Sequence, residues 1–178
     1  VTQFTGDLGG TLAPDTNGDG IAEIITATVG VNVDLRFNAI NDDGFGNTGT
    51  IINVENVGGS GLDDTIFGSH GSNVLTGHEG ADLLFGFGGD DTLIGGGGDD
   101  VLRAEGGAFY TGPTGNDSLS GGAGDDYLNG GRGVDYYDGG DGLDRVSFYS
   151  RTATQAASAN LVTQTISNDG FGNVETMV

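Results

Sequence analysis

The chain has no cysteine, no tryptophan and no lysine, only two prolines, and five basic residues against 26 acidic ones. Each shortage excludes something. Without cysteine there is neither a disulfide nor a thiolate metal site, so a β-rich protein of this kind needs another staple. The basic residues are all arginine (Arg36, Arg103, Arg132, Arg145 and Arg151), and the formal net charge is −21. Such a charge repels nucleic acid and anionic membrane surfaces. No apolar run is long enough for a transmembrane helix, and no signal-peptide pattern stands out. Hydrophobic residues make up only 35% of the chain and glycines number 38, a composition that by itself suggests weak folding or disorder.

What is present is a period. From Gly59 to Ser147 the chain repeats every nine residues, as in Gly95-Gly96-Gly97-Gly98-Asp99-Asp100-Val101-Leu102-Arg103. Units start at Gly59, Gly68, Gly77, Gly86 and Gly95 and, after a break, at Gly112, Gly121, Gly130 and Gly139. Position 4 is glycine in every unit but the first, where it is Leu62. Position 6 reads Asp64, Asn73, Asp82, Asp91, Asp100, Asp117, Asp126, Asp135 and Asp144. Position 8 reads Ile66, Leu75, Leu84, Leu93, Leu102, Leu119, Leu128, Tyr137 and Val146. A flexible glycine linker does not hold an acid and an aliphatic residue in fixed phase. The glycines allow a tight turn with exposed carbonyls, and the acid ends that turn. The following three residues alternate about one apolar side chain, which predicts a short strand with position 8 turned inward. Two units then make one coil, and units n and n+2 stack on the same edge about 4.8 Å apart. Carboxylates beside carbonyls form the all-oxygen shell that calcium accepts in irregular geometries.

These units resemble the RTX (haemolysin-type) calcium-binding repeat, G-G-x-G-x-D-x-U-x. The resemblance implies an all-β fold, a parallel β-roll (a β-solenoid) with rows of calcium ions held in the turns of both edges. It also implies that Asp64, Asp82, Asp91, Asp100, Asp117, Asp126, Asp135 and Asp144 are side-chain ligands, with Asn73 a weaker one and loop carbonyls completing each shell. Counting n/n+2 pairs within each run gives roughly five calcium ions or more, three in the first run and two in the second. Bound cations cancel the charge repulsion, and their binding energy becomes folding energy.

The array is flanked by other material. Residues 1–58 read as a β-rich cap. Within it Asp15, Asn17, Asp19 and Glu23 have the spacing of a calcium loop, although Thr26 stands where an EF-hand has its closing acid. Val31, Val33, Leu35 and Phe37 alternate with polar residues as in a half-buried strand. Residues 59–147 are the roll. The break at 104–111 separates Asp100 from Asp117 by 17, one short of two units, and reads as a degenerate repeat with one deletion whose Phe109 and Tyr110 cover the core. Residues 148–178 echo the N-terminal segment: Asn168-Asp169-Gly170-Phe171-Gly172-Asn173 repeats Asp42-Asp43-Gly44-Phe45-Gly46-Asn47 at an offset of 126, with Leu161 on Leu35 and Ile166 on Ile40. The echo reads as one segment of a longer protein in which caps and arrays alternate, another array following Val178.

Catalysis finds little support. His70 and His78 fall on opposite edges of a roll, and neither H-E-x-x-H nor G-x-S-x-G occurs. The doublets Asp63-Asp64, Asp90-Asp91, Asp99-Asp100 and Asp125-Asp126 recur with the period, as calcium loops do and a glycosidase pair does not. The expectation is a non-enzymatic calcium-binding structural module of a secreted RTX protein, in a surface layer, adhesin or extracellular matrix, folding outside the cell and self-associating end to end or with neighbouring modules, with no nucleic acid partner and no membrane insertion. The alternative is the calcium-folded accessory module of a type I-secreted enzyme, a protease, lipase or epimerase whose catalytic domain lies elsewhere.

Overall fold

The phase of the nonapeptide decides where each strand begins. The structure, a computed structural model, describes residues 11–13, 23–25, 27–106, 112, 114–148, 158–160, 165–169 and 173–177. In chain order the strands are β1 (Thr11–Ala13), β2 (Glu23–Ile25), β3 (Asn32–Asp34), β4 (Ala39–Asp42), β5 (Gly49–Thr50) and β6 (Asn56–Gly58). Then come β7 (Thr65–Ser69), β8 (Val74–Glu79), β9 (Leu83–Phe87), β10 (Thr92–Gly97), β11 (Val101–Glu105) and β12 (Ser118–Ala123). The last are β13 (Tyr127–Asn129), β14 (Tyr136–Asp141), β15 (Arg145–Val146), β16 (Ser158–Asn160), β17 (Thr165–Asn168) and β18 (Glu175–Met177). From β7 to β15 every strand starts at position 7, directly after the acid that closes the turn. No helix among the described residues is long and apolar enough to cross a membrane.

From β6 to β15 successive strands alternate between two sheets, and within each sheet these roll strands pair in parallel, while β1 and β2 form a separate antiparallel pair. One sheet runs β16-β17-β18-β14-β12-β10-β8-β6 and the other β15-β13-β11-β9-β7-β3-β4-β5. The protein is therefore an all-β parallel roll of two facing sheets. Its register stacks like on like: Val57, Leu75, Leu93, Leu119 and Tyr137 in one sheet, and Val33, Ile66, Leu84, Leu102, Leu128 and Val146 in the other. The position 8 residues from Ile66 to Leu128 are 0% exposed, and Tyr137 is 1%. Burying each leucine contributes about 1.5–3 kcal/mol, and a one-residue slip would turn the whole tower outward.

The outer face of the second sheet is covered by aromatic and arginine side chains. Phe67 stacks on Phe85 at 5.3 Å, and the Arg36 guanidinium lies 4.8 Å from the Phe67 ring and 4.2 Å from that of Phe87. Arg103 sits between Phe85 and Tyr127, at 5.8 and 5.4 Å, and Arg145 lies 5.5 Å from Tyr127. Arg36, Arg103 and Arg145 thus cover flat aromatic rings, as guanidinium groups do well.

The break in the array is an insertion, not a deleted repeat. Ala104, 1% exposed, takes the place expected for Gly112: its carbonyl closes the space beside Gly86 as the Gly95 carbonyl does beside Gly77. The Asn116 N–H then donates to Asp90 Oδ1 at 2.8 Å, and the Asp91 N–H to Asp117 Oδ1 at 2.8 Å, so the stack continues with no coil skipped. Ala104 and Gly115 are positions 1 and 4 of a single turn carrying eight extra residues. A turn edge accepts such a loop because closure entropy grows slowly with length.

Two outcomes follow. Deleting residues 106–113 leaves Ala104-Glu105-Thr114-Gly115-Asn116-Asp117, an unbroken turn. That variant is expected to keep the calcium-dependent circular dichroism and melting of the parent, whereas loss of the fold would contradict the insertion reading. Leu93→Ala is expected to lower calcium-saturated stability by about 2–5 kcal/mol, and Leu143→Ala, 83% exposed in the parent, by less than about 0.5 kcal/mol, both read by denaturant unfolding.

Candidate metal centre

Each turn ends in its position 6 residue because the strand that follows draws the side chain under the preceding coil. There Oδ1 of one acid accepts the backbone N–H of the acid one coil earlier. One column runs Asp64 to Asp82, Asp82 to Asp100, Asp100 to Asp126 and Asp126 to Asp144, at 2.8, 2.8, 2.8 and 3.1 Å. The other runs Asn73 to Asp91, Asp91 to Asp117 and Asp117 to Asp135, at 2.8, 2.8 and 2.9 Å. These are seven stacked pairs among the described residues, two more than counting within the separate runs gives, because both columns cross the insertion. Most of the members are nearly sealed from solvent, Asp82, Asp91 and Asp126 at 2% and Asp100 at 1%.

The second carboxylate oxygen is the chemically telling one. Oδ2 of Asp82, Asp91, Asp100 and Asp126 is buried and accepts no hydrogen bond. Each points to the Cα of position 1 in its own unit, where a Cβ would overlap it: Gly77, Gly86, Gly95 and Gly121. On the same space converges the position 1 carbonyl oxygen of the next coil, Gly95, Ala104, Gly121 or Gly139, within 2.8 Å of where that Cβ would stand. At Gly77, Gly86, Gly95 and Gly121 glycine therefore keeps a cradle open between a carboxylate and a carbonyl, whereas Ala104 stands at position 1 of the turn that ends in Asp117. An unpaired buried carboxylate is costly unless a cation meets it, and a mixed carboxylate and carbonyl set suits a hard cation such as calcium. Among the described residues no three acidic or histidine side chains converge on one point; the side chains arrive singly from stacked turns, with peptide oxygens beside them.

The column ends differ. The Asn73 amide donates to the Glu55 carbonyl of the preceding coil at 2.6 Å, and its Oδ1, which faces the Gly68 cradle as the acids' Oδ2 face theirs, accepts the Ser69 N–H at 2.6 Å. Asp64 Oδ1 accepts the Val31 N–H at 2.6 Å and Oδ2 the Ser60 N–H at 2.5 Å. Asp135 Oδ2 lies 3.5 Å from the Tyr137 hydroxyl. Asp15, Asn17 and Asp19 lie outside the described residues; Glu23 opens β2.

A second ladder, not foreseen from the sequence, runs outside the first. The position 5 side chains accept the N–H of position 5 one coil later: Asp63 from Ala81, Asp90 from Asn116, Asp99 from Asp125, Asn116 from Val134 and Asp125 from Leu143, at 2.8 to 2.9 Å. The acidic doublets were its signal. One member of each doublet turns into the cradle, and the other holds the rim.

Burial disfavours the charged state of the inner acids. It pushes Asp82 and Asp91 up to about 7, with the Asp64 and Asp100 charges adding to the shift at Asp82 and that of Asp90 at Asp91. Asp117 rises to about 8 and Asp100 to about 6, again chiefly by burial. The backbone N–H that each accepts pulls the other way.

With this geometry in view, the comparisons are direct. A model of four copies of the RTX calcium-binding nonapeptide repeat matches residues 58–86, 85–108 and 111–146. Over that stretch, about half its length, the chain belongs to the RTX calcium-binding repeat family, and the roll is a calcium-binding module. Comparison with curated proteins gave no match.

Without metal, the folded roll holds protons that an unfolded chain releases near pH 4. That contribution to stability is present below about pH 4 and is lost as pH rises through about 6 to 8. Calcium replaces those protons wherever the protonated roll is folded, so its uptake by that roll is expected to release protons and to weaken as pH falls toward about 5. A pH-stat calcium titration measures both, and pH-independent uptake would contradict the assignment. Asp100→Ala removes a cradle oxygen and orphans the Asp82 N–H; it is expected to lose at least one bound calcium by equilibrium dialysis and to cost about 1–3 kcal/mol in hydrogen bonding alone.

Proposed function

We propose that this chain is a structural module of a secreted RTX protein, in which calcium converts an acidic, expanded chain into a stiff roll outside the cell. The observation that carries the reading is the set of buried Oδ2 atoms on Asp82, Asp91, Asp100 and Asp126, each facing a glycine cradle without a hydrogen-bond donor. The position 6 carboxylates are the side-chain ligands, Asp82, Asp91, Asp100 and Asp126 foremost, and position 1 carbonyls contribute to the shells. Sites of the extracellular class, with Kd about 10⁻⁴–10⁻³ M, stay empty at cytosolic calcium and fill outside. The chain therefore leaves the cell unfolded and folds on arrival.

The role is mechanical and not catalytic. The doublets that could imitate an acid–base pair have one member in each ladder, and Asp63, Asp90, Asp99 and Asp125 accept backbone N–H groups of the neighbouring coil. That use favours a surface-layer, adhesin or matrix element, where a calcium-stiffened rod is itself the product.

Small-angle scattering across a calcium series tests this. At submicromolar calcium the radius of gyration is expected near the unfolded value of about 45 Å for a chain of this length, falling at millimolar calcium to within a few ångströms of the compact value of about 16 Å. A compact chain at submicromolar calcium would overturn folding after export.

A further inference from the structure

The segment after the roll is a structural copy of the segment before it. At an offset of 126, β16 falls on β3, β17 on β4, and Glu175-Thr176 of β18 on β5. The pairings coincide residue for residue: Asn32↔Asp42, Val33↔Ile40 and Asp34↔Ala39 in the first copy, Ser158↔Asn168, Ala159↔Ile166 and Asn160↔Thr165 in the second. Both carry the same irregularity, between Asn32 and Val33 and between Ser158 and Ala159. The third strands also match, Ala39↔Thr50 and Ile40↔Gly49 against Thr165↔Thr176 and Ile166↔Glu175. The Asn47 N–H donates to Asp43 Oδ1 at 3.1 Å and the Asn173 N–H to Asp169 Oδ1 at 3.0 Å, so the clamp on the loop is repeated as well.

The two copies meet the roll by opposite edges. The first docks by its first strand, β3 lying parallel to β7. The second docks by its third strand, β18 lying parallel to β14 with Tyr136↔Thr176 and Tyr137↔Met177. One three-strand meander therefore has two edges that accept a roll, one for its opening strand and one for its closing strand. In the first copy, the closing-strand edge is β5, which among the described residues ends its sheet. Gly49 and Thr50 are exposed there. The Ile51 N–H turns inward to the Asn38 carbonyl at 3.0 Å, so the alternation of an extended strand turns the Thr50 N–H outward.

We propose that the outer edge of β5 docks the closing strand of another nonapeptide roll, in parallel and in the β14–β18 register, so that the meander joins two rolls end to end. In that register Thr50 meets the partner's Tyr136 position and Ile51 its Tyr137 position. Ile51 belongs to the same core cluster as the leucine tower, and so does Tyr137 at the tower's far end, so the two apolar towers align across the joint. The addition is a strand augmentation, with main-chain hydrogen bonds supplying affinity and the inward side chain the register. The other open edge, β16, departs from its model: Ala156 stands at the offset of Gly30, whose Cβ would overlap the Asp63 carbonyl. The β5 edge is therefore the one assigned.

The proposal rests on the calcium-folded roll, and one chain separates the two ideas. Residues 1–155 are followed directly by residues 30–178, which keeps the offset of 126 and places a β3–β5 meander between two rolls. Far-UV circular dichroism with added calcium reports whether the rolls form; no gain of β signal overturns the roll reading and the proposal with it. With the rolls formed, hydrogen exchange at the central Thr50 amide is expected to slow at least tenfold relative to the parent chain, and both rolls to melt in one transition. Thr50→Pro in the central meander, which removes the outward donor and leaves the inward Ile51 N–H in place, is expected to restore two independent transitions. Folded rolls that melt separately, with Thr50 exchanging at the parent's rate, would overturn the docking edge.

Discussion

Everything in this fold depends on a row of carboxylate oxygens that the chain itself leaves without a donor. Asp82, Asp91, Asp100 and Asp126 each give Oδ1 to a backbone N–H of the neighbouring coil and keep Oδ2 buried and unpaired. A buried anion in that state is not tolerated alone. Protons can neutralise it, which is why burial pushes Asp82 and Asp91 up to about 7 and Asp100 to about 6, but a divalent cation satisfies stacked acids together. The net charge of −21 adds to that cost, and bound cations offset it.

The other features of the repeat serve that arrangement. Glycine at position 1 keeps the cradle open, since a Cβ on Gly77 or Gly95 would occupy the space that the acid faces. Positive φ at position 4, 112° at Gly80 and 120° at Gly98, bends the turn back so that the strand can start at position 7. The leucine tower fixes the register between coils, and the register delivers each N–H to the acid above it. Core and metal rows are two readings of one period, so neither forms well without the other.

Much of this was legible in the sequence because a fixed period translates directly into a stack. The parallel roll, the inward position 8 and the two edges follow from nine residues and one glycine-acid turn. What escaped has physical reasons. Gly112 looked like position 1 because local sequence cannot show that Ala104 already fills that place in the stack. The sequence marks Asn73 as a weaker ligand than the acids; it does not show that its amide donates to the Glu55 carbonyl while Oδ1 faces the Gly68 cradle. The outer ladder of Asp63, Asp90, Asp99 and Asp125 was hidden at a position the repeat leaves variable, because any short acceptor serves at an exposed rim. The echo at offset 126 was visible as a motif, but only strand pairing reveals that its two copies meet the roll by opposite edges.

The most direct test of the central claim is far-UV circular dichroism during a calcium titration of the EDTA-stripped chain, with magnesium as control. The account predicts a cooperative gain of β signal with calcium and little with magnesium, which holds its waters and demands a stricter octahedral shell. A full β spectrum at neutral pH in the absence of calcium would mean that the buried carboxylates are balanced in some other way, and would contradict the account.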